Sequence, residues 1–322
     1  MWPMVPRENA DPLRQETVGG MLATIAARMG AREAIVATDR RITYAELRRQ
    51  AEGAAQGLLA LGVDKPDTVA LWLPNRPEWL FVQHGCALIG AVVVALDPRA
   101  AAGALRDILR QTGATTLLCA DHAGPVDYLE TLAAALPGLA ASVPGELDLA
   151  DAPRLRAVIV DADDPYPGCL RLRDVLEAGD APEWAATRRE ALAEVTPDDP
   201  LTILPTPGTT TVPAGAVWSH RSGLSHGRRY AEVLQLTEAD RVLHALPLSS
   251  ACGGLAIPLA VFGHGATLVL MESPEPAVAL RLMEAERVTA GAMALARDGA
   301  FIGGLRDEAQ KSRLRALLVG EG

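Results

Sequence analysis

The stretch DTVALWLPNRPEWLFVQHGCALIGAVVVALDP, residues 67–98, decides the fold class. Its opening, DTVALWLP, is apolar at consecutive positions, the pattern of a short strand covered on both faces. Pro77 then opens a helical segment, RPEWLFVQHGCALIG, because proline is tolerated in a first helical turn, where its missing N–H has no intrahelical partner. A second apolar run, AVVVALDP, follows at once. Strand, helix and strand in succession make a parallel pair with a helical crossover.

The same alternation extends both ways. Upstream, VGGMLATIAARMG (18–30) is helical and closed by Gly30, and EAIVAT (33–38) is a short strand. In RRITYAELRRQAEGAAQGLLALGV (40–63), Thr43 and Glu46 form a capping-box signature. Leu47, Ala51, Ala54, Leu58 and Leu61 recur at helical spacing until Gly62 stops the run. Downstream, GALRDILRQTG (103–113) is a helix and ATTLLCA (114–120) a strand. Residues 137–153 and DADDPYPG (161–168) are loose in composition and flank the strand RAVIV. The run TPDDPLTILPTPGTTTVPAG (196–215) has the Pro and Asp density of a linker, which places a division near Asp198 and gives units 1–198 and 199–322. The second unit repeats the alternation with strands AVWSH, RVLHALPL and GATLVLM and helices SGLSHGRRYAEVLQL and PAVALRLMEAERV. The expectation is α/β, with two doubly wound, mostly parallel sheet lobes.

Composition narrows the functions. Hydrophobic residues are 49% of the 322 but aromatics only 4%, so the interior is built from Ala, Leu and Val on regular elements. A net charge of −10 without a sustained basic stripe argues against nucleic acid as partner. Cys86, Cys119, Cys169 and Cys252 form no C-x-x-C pair, so neither a zinc ribbon nor a disulfide framework is signalled. The six histidines show no H-E-x-x-H or i, i+4 pair, so no metal site is expected. His220 reads as a packing or loop-bracing residue. The start MWPMVPRENADP has no apolar signal region and no apolar run is long enough for a membrane span, which gives a cytoplasmic expectation. Lys65 and Lys311 are the only lysines. No catalytic residue is assigned.

TPGTTTVPAGA (206–216) has the Gly and Thr content of a phosphate-holding loop but fails the G-x-x-x-x-G-K-[ST] pattern. GLSHG (223–227) matches G-x-S-x-G, which offers Ser225 as a hydrolase nucleophile with Asp298 as orienter and His264 as base. That motif needs its serine on a sharp turn directly after a strand, whereas Ser225 falls within a helical pattern and His264 precedes Asp298.

Four segments in order, ITYAELRRQAEGAAQGLLALGVDKPDTVALWLPNRPEW, ALIGAVVVALDPR, TPGTTTVPAGAVWSHRS and LHALPLSSACGGLAIPLAVFGHGATLVLM, resemble successive signatures of the adenylate-forming ligases, the AMP-dependent synthetase and acyl-CoA synthetase superfamily. The resemblance implies the large N-terminal domain of such a ligase, attack of a carboxylate on the α-phosphate of Mg-ATP, and transfer of the acyl group to a thiol such as coenzyme A. It places nucleotide contacts at Thr206, Gly208, Thr209, Thr210 and Gly215, and the acyl side at Ser249, Ser250, Gly253 and Gly254. The absence of an aspartate that would hold an α-amino group favours a fatty or aryl carboxylate. Pro207, Thr211 and Ala214 stand where the family has serine, glycine and lysine. They remove an N–H and a hydroxyl, add a β-branched side chain, and delete a cation. A charge-assisted hydrogen bond contributes about 1.5–3 kcal/mol, so these losses predict ATP handling weaker by roughly two to five powers of ten. The chain's last residues, LRALLVGEG, resemble the strand entering the family's next half, and the motifs that follow it in the family are not in this sequence. The expectation is therefore a truncated, impaired ligase. The alternatives are a non-catalytic acyl- or partner-binding descendant, a split enzyme completed by another protein, and the Ser225 hydrolase.

Overall fold

The computed structural model describes residues 16–124, 126–205, 215–295 and 316–321. The chain begins with α1 (Val18–Met29), β1 (Glu33–Val36), β2 (Arg41–Thr43), α2 (Tyr44–Ala60), β3 (Thr68–Trp72), α3 (Pro77–Ile89), β4 (Val92–Ala95), α4 (Ala102–Thr112) and β5 (Thr116–Ala120). A small hairpin, β6 (His122–Ala123) and β7 (Val126–Asp127), precedes α5 (Tyr128–Ala135), β8 (Ala157–Asp161), β9 (Leu170–Arg171), α6 (Leu172–Ala178) and α7 (Pro182–Glu194). Then come β10 (Pro200–Pro205), β11 (Gly215–Ser219), α8 (His220–Leu234), β12 (Arg241–His244), a π-helical turn (Ala251–Ala256), α9 (Ile257–Gly263), β13 (Thr267–Leu270), α10 (Pro276–Ala285), β14 (Ala290–Leu295) and β15 (Ala316–Glu321).

These strands form two large, mostly parallel sheets, as the alternation predicts. One runs β11-β10-β4-β3-β5-β8-β9 and the other β15-β14-β12-β13-β1-β2. Only the β10–β11 and β1–β2 pairs in them are antiparallel. Sheet membership does not follow the chain division at Asp198. β1 and β2, from the first part, close the second sheet beside β13, while β10 and β11 extend the first sheet beside β4. Part of the segment read as a linker is thus a strand: Pro200 to Pro205 form β10, and Ile203 registers with Val94.

Local chemistry explains the helices. Thr43 and Glu46 make the reciprocal capping box, with Glu46 N–H donating to Thr43 Oγ1 at 3.2 Å and Thr43 N–H donating to Glu46 Oε2 at 2.8 Å. Gly62 ends α2 in the left-handed region at φ 73°. α3 buries Trp79, Leu80, Phe81, His84, Cys86 and Ile89 around its whole circumference, the signature of a helix enclosed by other elements. It packs on α2 through Gly85, whose missing Cβ would lie 2.9 Å from the Ala55 nitrogen. One continuous apolar core joins both sheets through α1, α2, α3 and α9. α10 covers the far side of the second sheet, with Met283 and Ala279 against Leu243 and Val269.

Two glycines of α2 test this packing. A Cβ on Gly57 would sit 2.4 Å from the Val175 carbonyl oxygen in the middle of α6, while one on Gly53 meets nothing within 4 Å. Gly57→Ala should therefore cost about 1–3 kcal/mol in urea unfolding, and Gly53→Ala should stabilise by about 0.5–1 kcal/mol. Equal effects would refute the close α2–α6 approach.

Candidate functional site

Parallel sheets bind ligands in the crevice outside the carboxyl ends of their strands. Here those ends converge from both sheets. After β3 the chain bends through Asn75, whose Nδ2 donates to the carbonyls of Leu246 (2.9 Å) and Met271 (3.0 Å) and whose Oδ1 accepts from Leu248 N–H (2.9 Å). Leu246 and Leu248 follow β12, and Met271 follows β13. A single buried amide thus fastens the carboxyl edge of the first sheet to that of the second.

Beside this pin opens a cleft of about 680 Å³, reached by residues after β1, β3, β5, β8 and β13. Charged groups face each other across it. Arg76 donates through Nε to Glu272 (3.2 Å), through Nη2 to the His122 carbonyl (2.9 Å), and reaches Asp161 at 3.5 Å. Arg40 pairs with Glu78 at 2.7 Å. Burial, together with the neighbouring Glu78 carboxylate, pushes the Asp161 carboxyl up to about 6 despite Arg76.

Of the sequence-predicted residues, those that are described do not line this cleft. Thr206, Gly208, Thr209 and Thr210 fall outside the described residues. Gly215 is the exposed first residue of β11, so the predicted loop leaves from the carboxyl end of β10, on the same edge of the sheet as the pin. Ser250 caps the π-helical turn: its Oγ accepts from Gly253 N–H (3.0 Å) and donates to the Pro247 carbonyl (2.8 Å). Gly253 and Gly254 are required by close packing, since a Cβ on them would lie 2.1 Å from Pro247 O and 1.8 Å from Leu248 O. Ser249 is half-buried in the same turn. None of these four lines the cleft. They follow Leu246 and Leu248, which Asn75 holds.

Ser225 is exposed in the interior of α8, not on a strand-to-helix turn, and Asp298 falls outside the described residues. The nucleophile-elbow geometry is therefore not formed at Ser225. His220 is fully buried, with Nδ1 accepting from the Val18 N–H at 3.2 Å, so the predicted bracing role fits its place at the start of α8. Lys65 is engaged at the amino-terminal side of the sheet by Asp199 (2.6 Å) and the Glu194 carbonyl (2.9 Å), and Lys311 falls outside the described residues. Among the described residues no group of three His, Cys, Asp or Glu side chains is placed to hold a metal ion. No described helix is long and apolar enough to cross a membrane.

Sequence reasoning passed over Asn75, Arg76 and Asp161. The signal available was positional: a lone polar residue directly after a buried strand in an α/β sheet stands at the ligand-binding edge.

Comparisons with known proteins give the family and the fold. The AMP-binding enzyme family matches residues 22–321. The mitochondrial medium-chain acyl-CoA ligase of Homo sapiens is 32% identical over 264 residues, 80% of this chain and 43% of the relative. A propanoyl:CoA ligase of Mycobacterium tuberculosis, whose acyl group carries a methyl-dioxo-octahydroindenyl ring system, is 34% identical over 283 residues, 85% of this chain and 50% of the relative. Among solved structures, the Mycobacterium tuberculosis fatty acyl CoA synthetase superposes with a TM-score of 0.73 at 26% identity, over 94% of this chain and 54% of that one. The chain spans about half the length of the curated relatives it matches.

Two measurements follow from the site's chemistry. Asn75→Ala leaves three buried backbone groups without their partner and should cost about 2–4 kcal/mol; Asn75→Asp, which turns a carboxylate oxygen toward two carbonyls, should cost at least as much. Stability equal to wild type in both would dismiss the pin. Separately, burial holds His84, His220 and His244 down at about 4, so they stay neutral in the folded chain while the unfolded chain protonates near the ordinary value. Their contribution is present above about pH 6.5 and is lost as pH falls toward about 4. His84→Gln, which cannot take up that proton, should flatten part of the fall in melting temperature across this window; an unchanged slope would refute it.

Proposed function

The chain belongs to the AMP-binding enzyme family, and we propose that it carries the carboxylate- and nucleotide-binding part of an acyl-CoA-synthetase-type ligase. In that reading a carboxylic acid attacks the α-phosphate of ATP to give an acyl-adenylate, and coenzyme A then takes the acyl group. The observation that carries it is the Asn75 bridge. It sets the segment after β12, where the resemblance places the acyl group, beside the sheet edge from which residues 206–214 leave β10. A fatty or aryl acid fits the apolar character of residues 251–262. Mg²⁺ would enter with the nucleotide and be held in part by its phosphates; among the described residues no group of three His, Cys, Asp or Glu side chains is placed for it.

Within this family role the chain's own phosphate segment sets a limit. Pro207, Thr211 and Ala214 offer fewer donors and one cation fewer than the family pattern, which supports impaired ATP binding by this chain.

A thermal-shift titration with Mg-ATP tests both statements. The double variant Thr211→Gly/Ala214→Lys should bind at least about tenfold more tightly than wild type, the effect of about one regained charge-assisted contact. If wild type shifts as strongly as the variant, the impairment is wrong. If neither chain shifts with Mg-ATP nor forms an acyl-adenylate with any of a panel of fatty and aryl acids, the ligase reading itself fails.

A further inference from the structure

We propose that the cleft between the two sheets is a pH-dependent clasp, closed while Asp161 is protonated and loosened when Asp161 ionises, and that Arg76 passes the change to residues 246–256 through the adjoining Asn75. Its meaning for acyl binding rests on the ligase reading above; the clasp itself does not.

The argument is geometric. Arg76 is the one residue of the cleft whose side chain reaches both sheets at once: Asp161 ends β8 of the first, and Glu272 follows β13 of the second. Its guanidinium is shared, with the Glu272 and His122 contacts close and the Asp161 contact longest. Glu78, from the first turn of α3, bears on Asp161 with like charge, while its own Oε2 is buried without a partner among the described residues. Arg40, from the loop after β1, is held by Glu78 and favours the ionised form only weakly. From β5, the buried Cys119 thiol faces Asp161 and is pushed up, partly by that carboxylate. Asp121 is paired with His122 at 2.9 Å, and Arg173 from α6 is directed to Asp163 at 3.6 Å. Among the described residues, Arg76 is therefore the cation best placed to compensate a charge on Asp161.

Linkage gives the direction. Closed, the Asp161 carboxyl titrates at about 6, raised from its ordinary value chiefly by burial. An opened cleft returns it to water and to that ordinary value. A raised value in the closed form means that closure is favoured at low pH and weakened as pH rises through about 6. Once ionised, Asp161 draws Arg76 from Glu272, the residue next to Met271, whose carbonyl Asn75 holds. Asn75 also holds Leu246 and Leu248, and Leu248 abuts Gly254, so loosening there reaches the capped turn.

Hydrogen exchange of residues 246–256 in the whole chain without nucleotide reads this directly. His244, next to the segment, titrates in the opposite sense, so wild type is compared with Asp161→Asn at each pH. Protection in the variant relative to wild type should rise about tenfold between about pH 5 and about pH 7.5. A ratio that does not change with pH overturns the clasp. Glu78→Gln provides a second arm, since removing the repelling carboxylate should move the wild-type transition to lower pH; no movement is equally fatal. Neither arm uses ATP, so loss of the ligase reading leaves the test intact.

Discussion

Asn75 does what neither sheet can do for itself. Two parallel sheets that meet at their carboxyl edges present carbonyls there that no further strand will satisfy, and leaving them buried and unpaired carries a large cost. A primary amide offers two donors and an acceptor on one short side chain, and here all of that capacity is used on Leu246, Met271 and Leu248. The consequences run outward from the bond. With Leu248 fixed, the turn after it brings Pro247 and Leu248 carbonyls onto the next helix, which only glycine at positions 253 and 254 permits. Ser250 then closes the helix start. In the structure, Ser250, Gly253 and Gly254 are a set of packing and capping solutions next to the segment that this amide holds.

The alternation of strand and helix was legible because it rests on local physics. A capping box, a proline at the start of α3 and a left-handed Gly62 each act within a few residues. Sheet membership was not legible, because nothing in EAIVAT says that its neighbour is GATLVLM, more than two hundred residues away. β10 was hidden by its own boundaries: Pro200 and Pro205 look like linker punctuation, yet proline is compatible with the ends of a strand. The site divided in the same way. Ser249, Ser250, Gly253 and Gly254 belong to a recognisable segment, whereas Asn75, Arg76 and Asp161 gain their roles only from juxtaposition across two sheets.

Buried titratable groups in this fold pull in opposite directions. His84, His220 and His244 lie in apolar surroundings that disfavour their charged forms, so acid works against the folded chain through them. Asp161, in a polar cleft, is raised by burial to about 6 and so holds its proton to a higher pH than an ordinary carboxyl. The first group guards the dry interior where the helices meet the sheets; the second sits where water enters. The opposition is what allows a local change at the cleft to be told apart from general acid destabilisation.

The strands on either side of residues 206–214 are anchored by contacts of their own. The hairpin that carries residues 206–214 is secured at its other end: Asp199 by Lys65, Asp198 by Arg221 through two hydrogen bonds, and His220 by the start of α1. Thr202 Oγ1 adds a bond to the Val93 carbonyl inside the sheet. Contacts within the sheets and helices thus hold this scaffold, and a fold of this kind can carry different chemistry on its loops.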